Sequence, residues 1–238
     1  MNALVIDLDG TMLHQEVEAI KVRGRSGYTY FSGRAAEILS QISCRMPIVI
    51  ATARNNNSVS GLVRQLPEVE FAGFVMENGL VSRTTLEAEP SCDPVWDQVA
   101  TAFPDWERLP YYEQCFGAIV PESARNNARK KLNSVLEKLE IKGYVYTERH
   151  KIFASRSAPD KLAGLRRLSI EPYIVLGNDW NDLEIMKDGS YTAVLADAAP
   201  ILQQLVCRNR GYKSPWKSHW GTIDVLLWAA KIVMNKEI

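Results

Sequence analysis

The sequence predicts an α/β protein, a doubly wound parallel sheet with a smaller α+β module inserted into it. Three observations predict this fold. Short apolar runs rich in Val and Ile stop abruptly at small or acidic residues. Segments with helical spacing lie between those runs. The alternation lapses across the middle of the chain, between residues 80 and 155, and then resumes.

The apolar runs cover residues 3–6, 48–51, 71–76, 173–176 and 191–195. A run apolar on both faces suits a strand buried between two helical layers, the habit of parallel sheets. Residues 34–42 place Ala35, Ile38, Leu39 and Ile42 on one helical face, and residues 183–186, 201–206 and 223–233 also read as helix. Such strand–helix alternation is the pattern of a doubly wound sheet. In the middle, acidic, proline-bearing loops at 87–94 and 104–110 precede a charged helix over 121–139 and a strand over 143–147. The expected organisation is a sheet domain of residues 1–79 and 156–238, with an inserted module over 80–155 whose junctions fall in loops.

Composition narrows the function. The chain balances 28 basic against 28 acidic residues, whereas a nucleic-acid binder normally shows a basic stripe, so no nucleic-acid partner is expected. Cys44, Cys92, Cys115 and Cys207 form no CxxC pair and only His14, His150 and His219 could join them, which argues against structural zinc. Acids interrupt the N-terminal apolar run, unlike a secretory signal. The most apolar late stretch, TIDVLLWAAKIVM, is too short to span a bilayer. A cytoplasmic protein with no membrane partner is expected, as a monomer or small homo-oligomer.

Chemistry concentrates where strands end. Asp7 and Asp9 follow the first apolar run, with Gly10 and Thr11 behind them. Open α/β sheets bind ligands outside the carboxyl ends of their strands, and two neighbouring acids there repel each other unless a cation or proton compensates. Taken alone, the pair reads equally well as a solvated turn. An EF-hand loop is excluded because Met12 occupies the position that requires glycine. A second cluster, Gly177, Asn178, Asp179, Trp180, Asn181 and Asp182, follows the run YIVL. Asp179 or Asp182 could simply cap the next helix. If the two strand ends are neighbours, Asp7, Asp9 and Asp179 instead converge as oxygen donors of the kind Mg²⁺ prefers. Thr52 ends another strand and precedes Arg54, a fork-shaped cation suited to phosphate. Lys161 follows a Pro–Asp helix start, where a lone lysine is ordinarily a solvated charge.

In combination, the segments DLDGT, ATAR, PDKLAGL and GNDWND, in this order, resemble the motifs of the haloacid dehalogenase superfamily of phosphatases. The wording VMENGLVSR resembles the lead into the cap of its type IIB branch, which includes Cof-like sugar phosphatases, sucrose-phosphate phosphatases and mannosyl-3-phosphoglycerate phosphatases. The resemblance implies a Rossmann-like core with an inserted cap that selects the substrate. It implies Asp7 as nucleophile and Asp9 as general acid and then base. Thr52 and Lys161 would hold the phosphoryl group, with Ala53 and Arg54 beside them at the substrate. Mg²⁺ would be the cofactor, bound by Asp7, the Asp9 carbonyl and Asp179, with Asp182 in support. The implied substrate is a small phosphate monoester, a sugar phosphate or related polar metabolite.

The sequence departs from the family pattern at three points. Ala53 stands for the glycine of TGR, Leu162 for the glycine after the motif lysine, and Asn178 intervenes before the first acid of the last motif. These leave open the posture of Arg54, the backbone contacts near Lys161, and whether Asp179 or Asp182 meets the metal. In the insert, Tyr111, Tyr112, Glu113, Arg149, His150 and Arg156 are candidates to face substrate. Lys213, Lys217 and His219 are candidates to border the pocket from the C-terminal side. A phosphomutase sharing the aspartyl-phosphate is the nearest alternative. A receiver-like phospho-acceptor is another, but receivers carry their aspartate on a mid-chain strand; a non-catalytic binding protein would lack one of the acids.

Overall fold

The structure, a computed structural model, describes residues 1–24, 27–86, 91–148, 150–208 and 211–235. It divides into two compact units, the first made of Met1–Arg54, Ser58–Leu86 and Asp160–Ile238 and the second of Asn55–Asn57 and Glu87–Pro159. In chain order the first unit opens with β1 (Asn2–Ile6), β2 (Leu13–His14), β3 (Ile20–Gly24), β4 (Gly27–Phe31), α1 (Gly33–Ser43) and β5 (Ile48–Ala51). α2 (Asn56–Val63), β6 (Phe71–Met76) and β7 (Val81–Arg83) follow. The second unit then supplies α3 (Val95–Thr101), β8 (Glu107–Arg108), β9 (Cys115–Ile119), α4 (Ala128–Lys138), β10 (Tyr144–Glu148) and β11 (Lys151–Ser155). The chain returns with α5 (Lys161–Arg167), β12 (Glu171–Leu176), α6 (Leu183–Asp188), β13 (Tyr191–Val194), α7 (Pro200–Arg208), β14 (Gly211–Lys213) and α8 (Ser218–Asn235).

Among the described residues, the main sheet has the order β14-β13-β12-β1-β5-β6-β7. Its strands run parallel, except that β7 pairs antiparallel with β6. The two-residue alternation of side chains explains why every central strand is apolar throughout. Leu4, Ile6, Ile48, Ile50, Ile174 and Leu176 pack in one core with Ile38 and Leu39 of α1 and Val225 and Leu226 of α8. Ala3, Val5, Val49, Ala51 and Val175 point the other way, into a second core with Leu165 of α5, Ile185 of α6 and Leu202 of α7. This is the predicted doubly wound α/β arrangement, and each of the five predicted strands forms within it.

Three differences from the sequence reading have physical reasons. Val81–Arg83 joins the main sheet as an edge strand, so the first unit extends past residue 79 to Leu86. The charged helix expected over 121–139 begins as a 3₁₀ turn, Glu122–Asn127, and becomes α-helical only at Ala128; Asn126 and Asn127 are weak helix formers. The small antiparallel sheet β2-β4-β3 was not anticipated. β2 is two residues long, and among the described positions of β3 and β4 the buried ones are Val22, Thr29 and Phe31, so the apolar signal is thin.

In the second unit, β10-β11-β9-β8 form an antiparallel sheet. One face packs Phe116, Ala118, Val145 and Ile152 against Trp96 and Val99 of α3 and Leu132 and Leu136 of α4. Elsewhere in the unit, Phe153 stacks on Tyr146 at 5.0 Å and meets Tyr112 at 5.6 Å between ring centroids.

Candidate active site

The sheet order decides which motifs meet. β1 lies between β5 and β12, with Ile6 aligned to Ile50 on one side and to Leu176 on the other. One step further, at the carboxyl ends, Asp7 follows β1, Thr52 follows β5 and the Gly177–Asp182 segment follows β12. The Asp7 N–H donates to Leu176 O at 2.9 Å, which continues the ladder one residue past β1.

Lys161, the first residue of α5, reaches into this point. Its Nζ donates to Asp7 Oδ1 at 2.8 Å and to Asp182 Oδ1 at 2.6 Å. The three residues are 4%, 2% and 0% exposed for Asp7, Lys161 and Asp182, so this is a buried cluster of two carboxylates on one ammonium. Burial, and then Asp182, push the Asp7 carboxyl up to about 7, against the pull of Lys161. Burial alone would lower the Lys161 ammonium, but Asp182 and Asp7 override it and hold it above the usual lysine range. Lys161 is therefore no solvated surface charge.

The other acids take different posts. Asp182 Oδ2 accepts the N–H groups of Asn178 and Asp179 at 3.0 and 3.2 Å, which locks the loop after β12. Asp179 is exposed, and its Oδ1 accepts the Trp180 N–H at 2.7 Å in a reciprocal cap with Asp182. The capping use weighed for these acids is thus present. Asp9 lies on the rim, where Arg54 grips it in a fork, Nε to Oδ2 at 2.7 Å and an Nη to Oδ1 at 2.6 Å. The same guanidinium donates to Ser58 Oγ and Thr29 Oγ1, so the replacement at Ala53 leaves Arg54 firmly seated. Thr52 is fully buried, and its Oγ1 accepts the Arg54 N–H at 3.2 Å.

Two glycines make these approaches possible. Gly10 has φ +79°, and a Cβ there would come within 2.1 Å of Asn178 Nδ2. The extra residue before Asp179 thus packs its amide on the turn that follows Asp9. Gly79 has φ +94°, and a Cβ there would strike Asp160 O at 1.9 Å, directly before Lys161. The segment Glu77–Gly79 is left-handed throughout and braces the strand ends: Glu77 N–H donates to Arg54 O, and Asn78 N–H to Thr52 O. Asn78 Oδ1 also receives Asn181 Nδ2 at 2.9 Å. Sequence reasoning missed the parts played by Asn178, Asn78 and Asn181; the Asn–Gly dipeptide at 78–79 was the available signal for an unusual turn.

Several further candidates have structural partners. Glu113 is buried and receives the Ser91 N–H, while Arg156 pairs with Asp93 at 2.9 Å. Tyr111 is exposed, His150 is half-buried, and Arg149 lies outside the described residues. Lys213 donates to Gln203 at 2.6 Å, Lys217 is exposed, and His219 is buried against the chain at Glu16.

No protein-family profile matches the chain, and no curated protein sequence matches it either. Solved structures do. A haloacid dehalogenase-like hydrolase from Bacteroides thetaiotaomicron superposes with a TM-score of 0.67 at 16% identity, covering 96% of this chain and 99% of that one. The fold is that of the haloacid dehalogenase-like hydrolases. The sucrose-phosphatase of Synechocystis, solved with sucrose and phosphate, gives 0.60 at 15% identity over 95% of this chain and 96% of that one. A subclass IIB sugar phosphatase gives 0.60 at 14% identity over 96% and 99%. These neighbours agree with the resemblance read from the sequence.

A hard cation suits this site. One lysine faces two buried carboxylates, so the cluster leaves a negative charge that a cation or a proton must offset. Among the described residues no three His, Cys, Asp or Glu side chains stand as a ready metal cluster. Mg²⁺ does not require one, since it keeps several waters and takes few carboxylates.

Proposed function

We propose that the chain is a Mg²⁺-dependent phosphatase of small phosphate monoesters, sugar phosphates foremost, acting through an aspartyl-phosphate on Asp7. The observation that carries the reading is the buried Asp7–Lys161–Asp182 cluster at the switch point of the sheet, beside Thr52. The sugar phosphatases that share its fold support the substrate class.

In the proposed mechanism the phosphoryl group lies against Lys161 and the Thr52 hydroxyl, which stabilise its oxygens in a preorganised setting. An Asp7 oxygen attacks phosphorus as the bond to the ester oxygen breaks, and Asp9 gives its proton to the departing alcohol. Asp9 then takes a proton from water, which attacks the aspartyl-phosphate, releases inorganic phosphate and restores Asp7. Asp9 must leave the Arg54 fork to do so; its side chain is 53% exposed, which gives it room. Asp7, the Asp9 carbonyl and Asp179, with Asp182 behind them, would hold Mg²⁺, which would supply positive charge to offset that of the phosphoryl oxygens.

Phosphate release from a panel of sugar phosphates, with and without Mg²⁺, tests the reading. Wild-type rates in Asp7→Asn would overturn it. An isomeric product without free phosphate would replace hydrolysis by a phosphomutase reaction.

A further inference from the structure

Two buried histidines have no part in the mechanism above. His14 ends β2 at 9% exposure, and His219 sits in the first turn of α8 at 7%. Their rings meet edge to face, with centroids 4.9 Å apart. His14 Nε2 lies 2.7 Å from the Oγ1 of Thr222, a fully buried residue of α8. Thr222 Oγ1 in turn lies 2.6 Å from Thr11 O and 3.3 Å from Ser218 O.

A hydroxyl carries one hydrogen. The short contact to Thr11 O needs that hydrogen, because two oxygens at 2.6 Å otherwise repel. His14 must then be the donor to Thr222, with its hydrogen on Nε2. The chain of donors runs from His14 through Thr222 to the Thr11 carbonyl. That carbonyl belongs to the tight turn that follows Asp7 and Asp9, where Thr11, Met12 and Leu13 all donate to Leu8 O. Thr11 Oγ1 also approaches Asp7 Oδ2 at 3.4 Å.

We propose that His14 is a positioning residue: through Thr222 it fixes the peptide plane of Thr11 and so the turn that presents Asp9 beside Asp7. The proposal rests on the phosphatase reading of those two aspartates. His219 holds the arrangement from behind, since its Nε2 lies 2.8 Å from Glu16 O while Ser218 Oγ donates to the Glu16 carboxylate at 2.7 Å. Burial, then His219, push the His14 imidazole down to about 4, so the ring is uncharged where an Nε2–H tautomer is required. The contact joins residues 208 apart in sequence and ties the last helix to the nucleophile turn.

The test compares shape with hydrogen bonding, using p-nitrophenyl phosphate and Mg²⁺. His14→Phe keeps a ring but removes the donor, and it should lower kcat roughly 10- to 100-fold with KM changed less than about threefold, the usual scale for a lost orienting contact. His14→Gln places an N–H at similar reach and should recover kcat to within about threefold of wild type. Unchanged kcat in His14→Phe, or equal loss in both variants, overturns the proposal. Should His14→Phe fail to fold, Thr222→Val against Thr222→Ser asks the same question, with the serine variant expected to keep the rate. Imidazole ¹⁵N spectra of the wild-type protein give a readout independent of turnover. Nε2–H on His14 is expected, and Nδ1–H overturns the relay even if the chain hydrolyses no ester.

Discussion

The inner cluster and the rim of the site use the same chemistry in opposite settings. Inside, Asp7, Lys161 and Asp182 are almost wholly removed from water. On the rim, Asp9 is 53% exposed and meets Arg54, whose side chain is 11% exposed. Buried charges cost desolvation and hold fixed positions because no water can replace their partners. Exposed pairs form and open at little cost. Asp7 therefore sits where nothing needs to move, and Asp9 sits where water can replace its partner.

Four outcomes would break or sharpen that contrast. Asp7→Asn should remove at least about 10³-fold of phosphate release, since nucleophile deletions lose most of the rate enhancement. Yet it should raise the Tm of the metal-free protein at pH about 8, because it leaves Lys161 and Asp182 as a matched pair. A fall in Tm would mean that Asp7 is not the uncompensated charge.

Lys161→Met should damage both properties. Two buried carboxylates would lose their cation, a loss of about 3–5 kcal/mol for a broken buried pair, read by denaturant unfolding. Phosphate release should fall with it, and stability equal to wild type would contradict the burial argument. Arg54→Ala is the matched change on the rim. The guanidinium is 11% exposed and also serves Ser58 and Thr29. Its loss should cost about 1–2 kcal/mol, less than Lys161→Met because Asp9 can turn to water, while slowing turnover about 10-fold through loss of Asp9 orientation. A stability loss as large as that of Lys161→Met would erase the distinction between the two regions.

The smallest effect is a pH dependence. The Asp7 carboxyl rises from 3.8 to about 7 on folding, so the folded chain keeps a proton that the unfolded chain has already released. The associated stability is fully present below the unfolded value and is lost as pH rises through the folded one. The Tm of metal-free protein should fall between pH about 5 and about 8, and added Mg²⁺ should raise Tm more at the upper value. Equal stabilisation by Mg²⁺ at both values would place the cation elsewhere.

The sequence by itself determined the sheet and its reactive edge. Val- and Ile-rich runs that are apolar on both faces suit strands between two layers, and their abrupt acidic ends mark the ligand side. Asp7, Thr52, Lys161 and the loop 177–182 were legible because each sits at the end of such a run or at a helix start. Tertiary structure alone decided what those residues touch. Lys161 meets Asp7 and Asp182 from 154 and 21 residues away, and His14 meets Thr222 across 208. The Lys161 contacts close only when β12 lies beside β1, and the His14 contact only when α8 packs on β2, placements set by crossover connections that local periodicity does not encode. Asn178 against Gly10 and the left-handed brace at Glu77–Gly79 belong to the same class. Local pattern fixes which residues reach the edge, whereas strand order and close packing choose their partners.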